Sequence, residues 1–425
     1  MADPVARAPA RALLAGNPAF RTLWAARVVS FLGDSVGLIA LLLYTASHFG
    51  TGLAVALLML AGDFVPSLLS PFAGAVADRW DRRVVLISCE LVQGGLVAVI
   101  AVWLPSLPVL LVLVAIQSCV AAVFQPASRS AVPGLVPESD LERANAAIGF
   151  ATNGMDSAGP LAGAALLAVL SVRELLLADA ATFVISAALL ATLPALARSP
   201  AVRPGPGTGR DLSVVPAGRL LAQARDGVKF IWQDKLIRVI TLAFCAVVLF
   251  NGVDDVALVF LARHTLHGSN SAASLVYAGA GLGLLAGFLL IARAAPLLPL
   301  PMLILAGYAV SSLGNLLTGL SFAILAALGF QVIRGFGIAA LDVGHTTAIQ
   351  RAVPAEMLGR VFSNVYGAVG VAAGLSYVFG GLLLDATNAR VTLIVAGAGG
   401  LVSAAAAATV LPRTARAAIR ATEQA

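Results

Sequence analysis

Residues 74–83, Gly74-Ala75-Val76-Ala77-Asp78-Arg79-Trp80-Asp81-Arg82-Arg83, decide the reading of the fold. Five fixed charges crowd into this short run, and a long apolar segment lies on either side of it. Charges so placed must sit in water or in a protein-lined pocket at a boundary between water and an apolar phase. The rest of the chain agrees. Of its 425 residues 60% are hydrophobic and 11% charged, with a mean hydropathy of +0.95. Soluble domains carry about 25% charged residues. A globule of this size in water would have too few charges for its surface, so a chain that crosses a membrane many times is expected.

A spanning helix needs about 20 mostly apolar residues. Twelve such segments are read, at 22–46, 52–77, 83–103, 108–128, 143–169, 173–194, 236–262, 271–292, 299–319, 322–348, 358–384 and 390–411. Gly, Pro or a charge interrupts several, which is tolerated where a helix faces protein or a cavity rather than lipid. The first twenty residues are rich in Ala, Pro and Arg and lack an apolar core, so no cleavable signal peptide is expected. Basic residues set the orientation. With the N-terminus inside, the outward connections hold only Arg173, Arg263 and Arg390, while Arg79, Arg82, Arg83, Arg129, Arg143, Arg293, Arg351 and Arg360 fall inward. Both termini are then expected in the cytoplasm. The net charge of +6 follows this topology rather than a basic patch, so no nucleic-acid partner is expected.

The chain divides into residues 1–194, a linker at 195–235 and residues 236–425. Positions 198–218 are rich in Arg, Pro and Gly, as in a flexible connection. Residues 219–235 read as an amphipathic helix: Leu220, Leu221, Val228, Phe230 and Ile231 would lie on a membrane surface, with Arg219, Arg225 and Lys229 toward headgroups. A short repeat links the halves. Val136-Pro137 and Arg143 recur as Val353-Pro354 and Arg360, in each case 217 residues on. The same spacing pairs Gln117 with Arg334 and Gly163 with Gly380.

The G-x-x-x-D-R-x-x-R-R pattern at 74–83 resembles the signature between the second and third helices of the major facilitator superfamily. That resemblance implies an all-α integral membrane fold of twelve helices in two pseudo-symmetric six-helix halves around a cavity. It also implies gating roles for Gly74, Asp78, Arg79, Arg82 and Arg83: Gly74 lets helices approach closely, and Asp78 meets a facing helix N-terminus. Gly154-Met155-Asp156-Ser157-Ala158-Gly159-Pro160-Leu161-Ala162-Gly163 resembles the antiporter motif of that family's exporters, with Gly154 one residue early. Gly154, Gly159, Pro160 and Gly163 are the helix-packing positions. Phe31-Leu32-Gly33-Asp34, Gln125-Pro126-Ala127-Ser128-Arg129, Leu141-Glu142-Arg143-Ala144-Asn145 and Ala224-Arg225-Asp226-Gly227 resemble the branch of macrolide-type efflux pumps and siderophore exporters. The resemblance implies a bacterial cytoplasmic-membrane protein that works as a monomer. Arg334-Gly335-Phe336-Gly337-Ile338-Ala339 resembles a pattern that the family places in the fourth helix, where this chain has Gln117.

Ionisable residues inside spans point to function, because each is costly against lipid. Asp34 lies about 18 Å into the first span at 1.5 Å per residue, and Asp63 at similar depth in the second. Asp156, Asp254, Asp255 and Arg334 complete the candidates for proton coupling or substrate binding; Glu90 and Asp342 stand nearer the inner side. A carboxylate shut from water can hold a proton and release it when water returns. The alternative for any one of them is a structural hydrogen bond or a buried ion pair, for instance with Arg27 or Arg334. Small-molecule substrate, protons and membrane lipid are the expected partners. No cofactor is expected. Cys89, Cys119 and Cys245 lack metal-ligand spacing and read as free, and His264 and His267 read as solvated. There is no Walker A sequence and no nucleophile–base set, so neither ATP-driven transport nor an enzyme is expected. The expected activity is export of a small amphipathic compound by proton antiport. A proton-coupled metabolite symporter and a non-transporting membrane sensor remain the alternatives.

Overall fold

The computed structural model describes residues 10–66, 81–137, 140–194, 217–294, 299–354 and 357–423. It is helical, with no strand among the described residues. Ten of the described helices are long and apolar enough to cross a membrane. The element order is α1 (Ala10–Gly16), α2 (Pro18–Phe49), α3 (Gly52–Met59), α4 (Arg82–Trp103), α5 (Leu107–Ala131), α6 (Leu141–Leu166), α7 (Val172–Ala191), α8 (Ala217–Gln233), α9 (Lys235–Asn251), α10 (Asp254–Phe260), α11 (Asn270–Ala294), α12 (Leu300–Gly319), α13 (Ile324–Ala352), α14 (Leu358–Ala386) and α15 (Ala389–Glu423).

The sequence explains where these helices start. Asp81 caps α4 by accepting from Arg83 N at 2.8 Å, and Asp234 caps α9 by accepting from Ile237 N at 2.8 Å. Ser171 and Glu174 form a reciprocal capping box on α7. Each cap meets amide groups that the first helical turn leaves unbonded. Two spans depart from straight α-helix. α3 passes into a π-turn at Leu60–Phe64, which contains Asp63. The expected seventh span breaks at Gly252–Val253 into α9 and α10, and the second piece ends in another π-turn at Leu261–Thr265. Such turns concentrate at functional positions.

Two compact units are present. The first comprises residues 1–41, 65–162 and 170–214; the second comprises 42–64, 163–169 and 215–425. In the first, Phe20 and Leu23 of α2 pack with Leu86 of α4, Phe124 of α5, Ile148 of α6 and Leu190 of α7. In the second, Ile240 and Phe244 of α9 pack with Tyr308 of α12, Leu341 of α13 and Leu411 of α15. Small residues draw α11 and α13 together: a Cβ on Gly283 would overlap the Val332 carbonyl, and one on Gly335 the Ala280 carbonyl. Gly337 meets Ser311 of α12 in the same way. The Arg334-Gly335-Phe336-Gly337 stretch thus seats α13 between two neighbours.

The amphipathic segment is helical, as α8, but protein covers part of its apolar side. Ile231 is buried with Ile237, Ile349, Val361 and Val365, with Phe230 against the same group. Gly227 packs on Arg360 and Asn364 of α14. Val228, Arg225 and Lys229 stay exposed.

Candidate functional site

Each unit gathers acids in its interior. In the first unit, α2 supplies Arg27, Ser30 and Asp34, α4 supplies Glu90, and α7 supplies Asp179. Arg27 is 1% exposed, Glu90 0% and Asp179 3%. The Arg27 guanidinium donates to Ser128 Oγ, and to Gln125 Oε1 at 3.2 Å. It also lies 5.0 Å from the ring centre of Phe31 and 5.9 Å from that of Phe124, within cation–π range. Ser30 donates to Glu90 Oε2 at 3.2 Å. Asp34, Glu90 and Asp179 stand close enough to act on one another electrostatically.

In the second unit the acids are Asp63 of the α3 π-turn with Asp254 and Asp255 of α10. Asp254 is fully buried and ion-paired to Arg334 of α13. Tyr277 of α11 donates its hydroxyl to the Asp255 carbonyl. Tyr377 of α14 donates to Asp63 Oδ2 at 3.1 Å. Asp63 itself is exposed, and Asp255 is intermediate. Asp63 and Asp255 stand close enough to act on one another electrostatically.

Below α10 begins a neutral polar ladder. Asn251 donates to Ser312 Oγ at 2.8 Å, Asn315 donates to Asn251 Oδ1 at 3.0 Å, and Gln331 donates to Thr318 Oγ1 at 3.1 Å. All five are buried. Further along α13, His345 Nε2 meets Tyr308 OH at 2.6 Å while its Nδ1 meets Leu341 O at 2.6 Å. The two contacts fix the ring between Tyr308 of α12 and the preceding turn of its own helix. Phe244 stacks on it at 4.2 Å. At the far end of α14, Asp385 accepts from Gly52 N, and from Leu53 N at 3.0 Å, at the start of α3. The carboxylate satisfies two free amides and complements the helix dipole.

Of the residues singled out from sequence, Asp63, Asp254, Asp255 and Arg334 come together in the second unit, and Asp34 belongs to the first. The ion pair foreseen as an alternative is realised between Asp254 and Arg334. Asp156 lies in α6, and its side chain is outside what the structure describes. Gly74, Asp78 and Arg79 fall outside the described residues. Arg82 and Arg83 open α4, and Arg83 donates to the Ala191 carbonyl of α7. Gly154, Gly159, Pro160 and Gly163 are all buried along α6, and a Cβ on Gly159 would overlap Ser35 of α2. His264 and His267 are exposed. The three cysteines are free. No group of three or more His, Cys, Asp or Glu that could hold a metal ion occurs among the described residues.

Several residues were not singled out from sequence: Asp179, Tyr277, Tyr377, Asp385 and the Asn251 ladder. For Asp179 the signal was present, since it is an acid in the middle of an apolar span, as Asp34 is. The tyrosines carry no comparable signal, because only their partners give them a role.

A bundle of long apolar helices with acids, an arginine and tyrosines buried in it defines a multi-pass membrane transporter. The chain belongs to the Major Facilitator Superfamily, whose family model matches residues 23–261 and 255–425. It is 25% identical over 400 residues to the uncharacterized MFS-type transporter YfiS of Bacillus subtilis, covering 88% of this chain and 89% of that one. Over 128 residues it is 29% identical to macrolide efflux protein A of Streptococcus pyogenes, covering 29% of this chain and 32% of that protein. The fold resembles a variant of the nucleoside transporter NupG, with a TM-score of 0.76 at 11% identity over 92% of this chain and 99% of that one. It also resembles a bacterial homologue of the iron transporter ferroportin in an inward-facing state, with a TM-score of 0.69 at 16% identity over 93% and 98%.

Proposed function

We propose that this transporter exports a small amphipathic compound in exchange for protons, by alternating access, from a bacterial cytoplasmic membrane with both termini in the cytoplasm. The observation that carries the reading is the acidic group of the second unit. Asp63, Asp255 and Asp254 are electrostatic neighbours, and Asp254 is paired with Arg334. Protonation of Asp254 would dissolve its pairing with Arg334 and free the guanidinium, so proton arrival and rearrangement of α10 against α13 are linked. Asp63 with Tyr377 offers an anionic and aromatic contact to an amphipathic cation. Close packing of Gly159 on Ser35 supports the exporter reading, because it ties the motif-bearing α6 to α2, the helix that carries Asp34. Partial similarity to a macrolide efflux protein points the same way.

Asp34, Asp63, Asp156, Asp254, Asp255 and Arg334 are the coupling and binding residues in this reading. The 74–83 run, including Gly74, Asp78, Arg79, Arg82 and Arg83, forms the inner gate. Residues 1–194 and 236–425 act as the rocking halves, joined by 195–235, and one copy of the chain suffices.

Inside-out vesicles with an acidified lumen and a pH-sensitive dye test the proposal. A panel of macrolides, lipophilic cations and siderophores is added. Proton release that control vesicles lack is the expected result. Substrate-driven acidification of the lumen would instead identify a symporter. Silence across the panel from folded protein would count against export of this class.

A further inference from the structure

Asp179 is the buried acid that the export reading leaves unused. It sits on α7 against α2, where two glycines admit it. A Cβ on Gly37 would overlap Asp179 Oδ2, and one on Gly33 would stand 2.7 Å from Oδ1. The bare backbone at Gly37 lets the carboxyl nest against the helix, and that at Gly33 admits the Thr182 hydroxyl beside it. That backbone offers no donor, because mid-helix amides are bonded within the helix. Oδ1 has no hydrogen-bond partner, and neither has Glu90 Oε1 on the facing helix α4. Thr182, one turn along α7, gives its hydroxyl proton to the Asp179 backbone carbonyl at 2.7 Å, and the same hydroxyl lies beside the carboxyl as its one neutral polar neighbour on α7.

The surrounding charges make a bare carboxylate less tolerable still. Helix α2 presents Asp34 and Arg27, and α4 presents Glu90 and the Cys89 thiol. The charged groups that act on Asp179 are Asp34 and Glu90, both acids. Arg27 is engaged with Ser128, Gln125 and two aromatic rings, and its electrostatic neighbours are Glu90 and Arg129. A buried carboxylate needs a cation, donors or a proton. The three acids are not grouped so as to share a metal ion. A proton is the occupant that fits, since it removes the charge and adds an O–H donor in the space of a carboxyl oxygen.

We infer that Asp179 holds a proton in the α2–α7 contact and is the residue through which the first unit takes up and releases the proton exchanged in transport. The second half of this inference rests on the antiport reading; the first does not. Release would leave a carboxylate pressed on Gly33 and Gly37 beside two other acids, which drives α7 away from α2 until water or a cation reaches it. Proton occupancy and helix separation are therefore linked without any group from the second unit.

The test uses wild-type full chain in lipid, treated with dicyclohexylcarbodiimide, followed by peptide mass spectrometry. The reagent adds to a carboxyl that is protonated in apolar surroundings. An adduct on Asp179 at neutral pH, falling by an order of magnitude or more in alkaline buffer, is expected. No adduct on Asp179 at any pH would overturn the inference. The vesicle assay is then repeated with Asp179→Asn, which keeps shape and neutrality. Loss of substrate-evoked proton release with substrate binding retained supports the coupling role, and unchanged release overturns it. If wild type itself gives no release, the antiport reading fails, while the labelling result still decides whether Asp179 holds a proton.

Discussion

The two acid groups differ in how their charge is answered. In the second unit Asp254 has a guanidinium and Asp63 has a tyrosine hydroxyl. In the first, Asp179 is packed against helix backbone with an unbonded oxygen, and the charged groups that act on it are acids. Similar residue types thus serve two states of charge. In the reading proposed above, the second group works through an ion pair that forms and parts, and the first holds a neutral acid.

The strongest way to break the contrast is Arg334→Ala. Removing one partner of a buried pair costs about 3–5 kcal/mol, so a large fall in thermal stability in detergent is expected. Adding Asp254→Asn to that variant should recover most of it, and failure to recover would mean that the pair does not set the stability of α10 on α13. Next comes Gly37→Ala, which places a methyl where Asp179 Oδ2 lies. Overpacking of this kind costs about 1–3 kcal/mol, and an unshifted melting temperature would remove the glycine groove from the account. Asp385→Ala should cost about 1 kcal/mol, the usual value of a lost helix cap. Faster amide exchange at Gly52 and Leu53 is the local readout, and unchanged exchange there would deny the contact its role. The smallest effect belongs to Asp179→Asn, which should stay within about 1 kcal/mol of wild type because a neutral group replaces a neutral group. A loss comparable to that of Arg334→Ala would show that Asp179 is an ion in a structural pair.

Much of the fold was legible because hydropathy and basic residues report directly on spans. Helices α4, α7, α12 and α14 begin and end within a few residues of the segments read at 83–103, 173–194, 299–319 and 358–384. Local chemistry such as the Asp81 cap and the Ser171–Glu174 box fixes some of those ends. The break at Gly252–Val253 and the π-turn at Asp63 were not read, because an apolar run looks the same whether the helix inside it is continuous or not. The acids could be found singly but not grouped. Grouping depends on how each helix is turned about its axis, and a span apolar on every side gives little periodic signal of that. In α7, Thr182 and Ser186 follow Asp179 on one face, but nothing in that pattern says which helix the face meets, so its approach to Gly33 and Gly37 is a tertiary fact. The partnership of Arg334 with Asp254 is of the same kind, joining α13 to α10 across a long stretch of chain.

Infrared spectroscopy of the protein in lipid bears most directly on the contrast, because a protonated carboxyl has a carbonyl band that a carboxylate lacks. At neutral pH, Asp179→Asn should remove intensity from that band relative to wild type, whereas Asp254→Asn should leave it unchanged. An unchanged band in Asp179→Asn, or a loss in Asp254→Asn, would contradict the account.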